Sequence, residues 1–166
     1  MTFNQLQNNA SDLLFKDESS ITDYLSLAKQ LTIGFHNTPP YFRKIKVAFL
    51  SNFTLQGMPE VFKIQALVHN IYADVYLGEY DQYTQEVLNL ESDFYRFKPD
   101  LVYFLIDEIN IDKNQIDELV SSLSSKGFRV KLIWGSSIKE NFKDFWYTKY
   151  KNLGDFRLAP QAFPAF

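Results

Sequence analysis

The chain reads as an α/β protein: a three-layer α/β/α arrangement with a mostly parallel sheet, plus a helical appendage at the N-terminus. Three observations carry this. From residue 41 onward, short apolar runs alternate with amphipathic stretches, the order expected of strand–helix–strand units. Leu101-Val102-Tyr103-Phe104-Leu105-Ile106 is apolar without a break, as in a central strand covered on both faces. Lys46-Val47-Ala48-Phe49-Leu50 stops at Ser51-Asn52-Phe53-Thr54, small polar groups of the kind a strand delivers to the sheet's carboxyl edge.

The elements follow in order. Met1 to Leu14 is polar, without the basic start and apolar core of a signal peptide. Ser20 to Leu31 carries Ile21, Tyr24, Leu25, Leu27, Ala28 and Leu31, an apolar stripe at helical spacing, with Ser19 or Ser20 as cap. His36-Asn37-Thr38-Pro39-Pro40 is a linker, because consecutive prolines force extended backbone. Ile45 to Leu50 is the first strand. Pro59 to His69 is a helix opened by its proline and closed by Asn70 in a left-handed turn. Ala73 to Leu77 is a strand ended by Gly78, and Tyr83 to Leu90 a helix. After the central strand, Gln115 to Lys126 buries Ile116, Leu119, Val120 and Leu123, with Asn114 as cap and Gly127 as stop. Val130 to Trp134 is the fourth strand. Beyond it, Phe142, Phe145, Trp146, Tyr147 and Tyr150 suggest an aromatic helix, and Arg157 to Phe166 an extended tail. The expected division is therefore 1–40 as helical extension and linker, 41–137 as the α/β core, and 138–166 as aromatic helix and tail.

Composition narrows the function classes. The chain has 166 residues, 46% hydrophobic, enough to bury a core. A net charge of -3 offers no basic field for a phosphate backbone, so no nucleic-acid partner is expected. Cysteine is absent, which removes disulfides, thiolate nucleophiles and cysteine metal sites. No signal peptide and no run long enough to span a bilayer are visible, so the expectation is a soluble, cytoplasmic protein without membrane contact.

Parallel strands share one carboxyl rim, where Ser51, Asn52, Thr54, Gly78, Glu79, Tyr80, Asp107, Glu108, Gly135, Ser136 and Ser137 would meet. A hydroxyl beside a base would make Ser51 a nucleophile; equally, Ser, Asn and Thr there can satisfy loose backbone groups between strand and helix. Asp107-Glu108 could serve as a metal or acid–base pair, but adjacent carboxylates at a strand end are more often a solvated edge and helix-start charge. The stretch from Asp107 to Asn114 lacks the spacing and central glycine of a calcium loop. The two histidines, His36 and His69, both precede the fourth strand, whereas a serine hydrolase of this layout needs a late imidazole base. No Walker loop and no Gly-x-Gly-x-x-Gly run exists, so neither cofactor nor metal is expected.

Three segments together resemble a known family. Leu50-Ser51-Asn52-Phe53-Thr54, the stretch Tyr76-Leu77-Gly78 through Gln82-Tyr83-Thr84-Gln85-Glu86, and Phe97-Lys98-Pro99-Asp100 occur in the order found in the N-terminal domain of FkbH-like proteins. These belong to the haloacid dehalogenase (HAD) superfamily, subfamily IIIC, and the likeness covers about residues 43 to 137. It implies a Rossmann-like domain similar to SGNH hydrolases, placed ahead of a HAD catalytic domain, in polyketide or other secondary-metabolite biosynthesis. It also implies a HAD-type catalytic domain or an acyl carrier protein as partner. The relatives' phosphatase or glyceryl-transfer chemistry needs an Asp-x-Asp-x-Thr loop, which this sequence lacks.

The reading is then an accessory domain, not catalytic by itself. Asn52, Thr54, Gly78, Tyr80 and Gln82 are its expected substrate-binding residues. The alternative is an SGNH-type esterase or acyl hydrolase with Ser51 as nucleophile and Asp107 or Glu108 as base. Asp107 stands where that group has Asn, and its late Asp-x-x-His is missing. A nucleotide- or cofactor-binding module would fit the fold, with no motif behind it.

Overall fold

The computed structural model describes residues 2–16, 19–34, 39, 41–107 and 111–134. His36, Glu108, Gly135 to Ser137, and the expected aromatic helix and tail over 138–166 lie outside the described residues. The described residues form two compact units, one within 1–44 and 56–73, the other within 45–55 and 74–134.

The first unit contains helices α1 (Phe3–Phe15), α2 (Ile21–Gly34) and α3 (Met58–Val68). The polar N-terminal stretch forms α1. Thr2 and Gln5 form a capping box, each side chain accepting from the other's backbone N–H. Phe3, Leu6, Ala10 and Leu13 fall on one face and are buried. Ser20 and Asp23 cap α2 in the same reciprocal way, and the bond from the Ser20 backbone holds the Asp23 carboxyl below its ordinary range. Gly57 starts α3 in a left-handed conformation (φ 83°), and a Cβ there would sit 3.0 Å from Ile21 Cδ1. All three helices feed one core in which Leu6, Leu27, Leu31, Ile64 and Leu67 meet Phe42. Residues before 40 thus share a hydrophobic core with α3. Gln7 Nε2 adds a polar tie, donating to the Leu67 carbonyl and to Asn70 Oδ1 at the end of α3.

The sheet comprises β1 (Arg43–Ser51), β2 (Ile71–Leu77), β3 (Leu101–Ile106) and β4 (Arg129–Trp134), in the order β2-β1-β3-β4. It is all-parallel, as its alternation with helices predicts. Val47 pairs with Leu101 and Ser51 with Leu105; Leu101 in turn pairs with Arg129 and Ile106 with Trp134. Helices α4 (Tyr83–Leu88), α5 (Asp93–Phe97) and α6 (Lys113–Ser125) complete the second unit. They pack on the sheet face that carries Ala48, Leu50, Val102, Phe104 and Ile106, bringing Tyr83, Val87, Phe94, Ile116 and Leu123. Residues of the opposite face, Val47, Phe49, Tyr103 and Leu105, are buried too. Burial on both faces is why these strands are apolar throughout instead of alternating.

Two details differ from the sequence expectation. The first residue ahead of α6 to act as a cap is Asp112, whose carboxylate accepts from the Asn114 backbone N–H, so Asn114 is the capped residue. The helix expected over Tyr83 to Leu90 ends at Leu88, and the five-residue α5 follows it.

A closed rim as candidate functional site

In a sheet ordered β2-β1-β3-β4, chain direction reverses its progress between β1 and β3. Ligands of open α/β sheets bind outside the carboxyl ends of such a strand pair. Ser51 and Asn52 end β1, and Asp107 follows β3, so the sequence-derived residues do meet at this point.

What they do there is bond to the backbone. Asn52 Nδ2 donates to the Asp107 carbonyl at 2.8 Å, and the Asp107 N–H donates back to Asn52 Oδ1 at 2.8 Å. One amide thereby bridges the two strand ends. Ser51 is 3% exposed, and its hydroxyl donates to the Phe53 carbonyl at 2.6 Å. A nucleophile would need that hydroxyl facing a base and an incoming carbonyl carbon.

The β2–α4 loop lies against the same strand end. The Gly78 N–H donates to the Phe49 carbonyl at 2.9 Å, and the Asp81 N–H to the Ser51 carbonyl at 3.2 Å. Gly78 is required by space: a Cβ would lie 2.8 Å from Leu50 Cδ2 and 3.3 Å from the Phe49 oxygen. Its N–H is therefore spent on the strand, where an oxyanion hole would need a donor aimed at a reacting oxygen. Asp81 adopts φ 56°, a left-handed turn that aspartate tolerates better than most residues. Tyr80 at the loop tip is 64% exposed, Thr54 is exposed as well, and Gln82 is half-buried at the start of α4. Thr54, Tyr80 and Gln82 are thus the expected binding residues with open side-chain surface.

Sequence reading missed the pair behind this loop. Tyr76 Oη donates to Glu86 Oε1 at 2.7 Å, while Glu86 Oε2 is buried with no hydrogen-bond partner among the described residues. Burial, and then the Glu86 carboxylate, push the Tyr76 phenol well above its ordinary value. Only their place at the two ends of one sequence segment hinted at the contact.

Other features do not add a centre. A shallow depression on the outer face of α6, lined by Asn114, Asp117 and Ser121 among others, includes no rim residue. Among the described residues no group of three or more His, Asp or Glu could hold a metal ion, and no helix is long and apolar enough to cross a membrane.

No protein-family model matches the chain, and no curated protein matches it. A crystal structure of the N-terminal part of the protein BF1531 from Bacteroides fragilis, containing a phosphatase domain complexed with Mg, aligns at 20% identity and a TM-score of 0.47. The alignment covers 92% of this chain and 40% of that one. A likeness of this degree bears on neither family nor activity.

Proposed function

We propose that this chain is a non-catalytic accessory domain of an FkbH-like, HAD-superfamily protein. In this reading it positions a catalytic domain, its substrate or an acyl carrier protein in secondary-metabolite or polyketide-type biosynthesis. The observation that carries its non-catalytic side is the closed rim: the Ser51 hydroxyl, the Asn52 amide and the Gly78 N–H all bond to nearby backbone. A hydrolase needs those same three groups turned toward a substrate. Neither histidine of the sequence follows the fourth strand, and a serine lacking an imidazole base forgoes general-base assistance of roughly 10²–10⁴-fold.

The three-segment resemblance supplies the biosynthetic context and the class of partner. Thr54, Tyr80 and Gln82 supply open side-chain surface beside the closed crevice. The test compares hydrolysis of short p-nitrophenyl acyl esters by the wild type and by Ser51→Ala. Rates equal to buffer in both proteins are expected. A rate above buffer that disappears in Ser51→Ala would overturn the reading in favour of an SGNH-type esterase, with Asp107 as the base to examine next.

A further inference from the structure

The opposite, amino-terminal end of the sheet in the second unit has a different character. Leu101 of β3 pairs with Arg129 of β4, and Tyr103 with Lys131, so Arg129 and Lys131 project from the same sheet face. Two residues apart on a strand, they stand ~7 Å from each other, and both are exposed. Lys98 and Lys126 each precede the Leu101–Arg129 pair by three residues, in the loops that lead into β3 and β4, and both are exposed. Lys98 is held in a left-handed turn (φ 54°) ahead of Pro99.

Two acids of the lead into β3 have partners among the described residues. Asp93 pairs with Arg96 at 2.7 Å, and Asp100 Oδ2 accepts from the Lys46 N–H. Lys126 Nζ bonds only the neutral Ser122 hydroxyl. Among the described residues none of Lys98, Lys126, Arg129 and Lys131 is in an ion pair. The carboxyl rim, by contrast, carries Glu79, Asp81, Asp107 and Asp112. Cations on an edge strand keep it from pairing with another chain, which accounts for Arg129 and Lys131. It does not account for Lys98 and Lys126, which lie in loops.

We infer that this end of the sheet is a docking surface for an acidic protein segment, whose carboxylates would pair with Lys98, Lys126, Arg129 and Lys131. A short acidic segment fits better than a nucleic acid, because an extended phosphate backbone would meet the excess of acids on the rest of the chain. The inference rests on the accessory reading, since it says where such a domain would hold its partner.

The experiment is a titration of the isotope-labelled full chain with a ten-residue glutamate-rich peptide at low and at physiological salt, followed by amide chemical shifts. Shifts confined to residues around 98, 126, 129 and 131 are expected, with affinity falling as salt rises. Arg129→Glu/Lys131→Glu should bind about tenfold more weakly, and the milder Arg129→Gln/Lys131→Gln serves if the reversal does not fold. Absence of shifts, shifts elsewhere, equal affinity in the variants, or tighter binding of a single-stranded oligonucleotide would each overturn it. None of these outcomes touches the ester assay, so the accessory reading stands or falls separately.

Discussion

The two ends of the β1–β3 strand pair are tied by the same device in different surroundings. At the carboxyl end, Asn52 exchanges two hydrogen bonds with the Asp107 backbone. At the amino end, Asp100 Oδ2 accepts from the Lys46 N–H at 2.7 Å while the Asp100 N–H donates to the Lys46 carbonyl at 2.8 Å. The first tie is half-buried and uses a side chain for both bonds. The second is exposed and uses a side chain for one. The difference teaches that identical pairing has unequal weight: a lost bond costs most where water cannot replace it.

The largest effect should come from the buried tie. Asn52→Ala removes both bonds and strands an N–H and a carbonyl, so urea unfolding should show a loss of about 2–3 kcal/mol. A value below that for the exposed tie would break the comparison.

Next comes the pair behind the rim. Among the described residues, Tyr76→Phe leaves both Glu86 oxygens without a donor, and it should cost about 1–2 kcal/mol by the same measurement. It also has a pH signature. The folded phenol is held above its ordinary value of 10.0, so the unfolded chain releases its proton first. Stability is then fully present below pH 10 and falls as pH rises beyond it. Tyr83, Tyr95 and Tyr103 shift the same way through burial, so Tyr76→Phe should make that fall shallower without removing it.

At the exposed end, Asp100→Ala gives up one side-chain bond and keeps the backbone one, for about 1 kcal/mol. Arg129→Gln/Lys131→Gln should change stability by less than about 0.5 kcal/mol, as exposed substitutions do. Thermal melts of the two variants, run side by side, sharpen the contrast between a structural tie and charges in no ion pair among the described residues.

The strands, α2, α3 and α6 were legible because each follows a single local pattern: an apolar run, a helical stripe, a cap or a stop. Asn70 and Gly127 do adopt the left-handed turns their types suggest. The first helix was overlooked because its exposed face is rich in Asn and Gln, though Phe3, Leu6, Ala10 and Leu13 keep helical spacing beneath that polarity. Five-residue α5 is too short to show a period. At the rim, residue types were readable and orientations were not. Ser51 has the same identity whether its hydroxyl faces a substrate or the Phe53 carbonyl, and only folded geometry separates the two.

The three segments that carry the family resemblance each contain one of these ties: Asn52 in the first, Tyr76 and Glu86 in the second, Asp100 in the third. Such residues fix strand ends whatever the domain does, so on their own they speak for architecture more than for chemistry.

The closed crevice is tested most directly by hydrogen exchange at the Asp107 amide in the wild type and in Asn52→Ala. The expected result is a protected amide in the wild type that exchanges much faster in the variant. Fast exchange in the wild type would mean that the crevice stands open and that the rim's polar groups are free for a ligand.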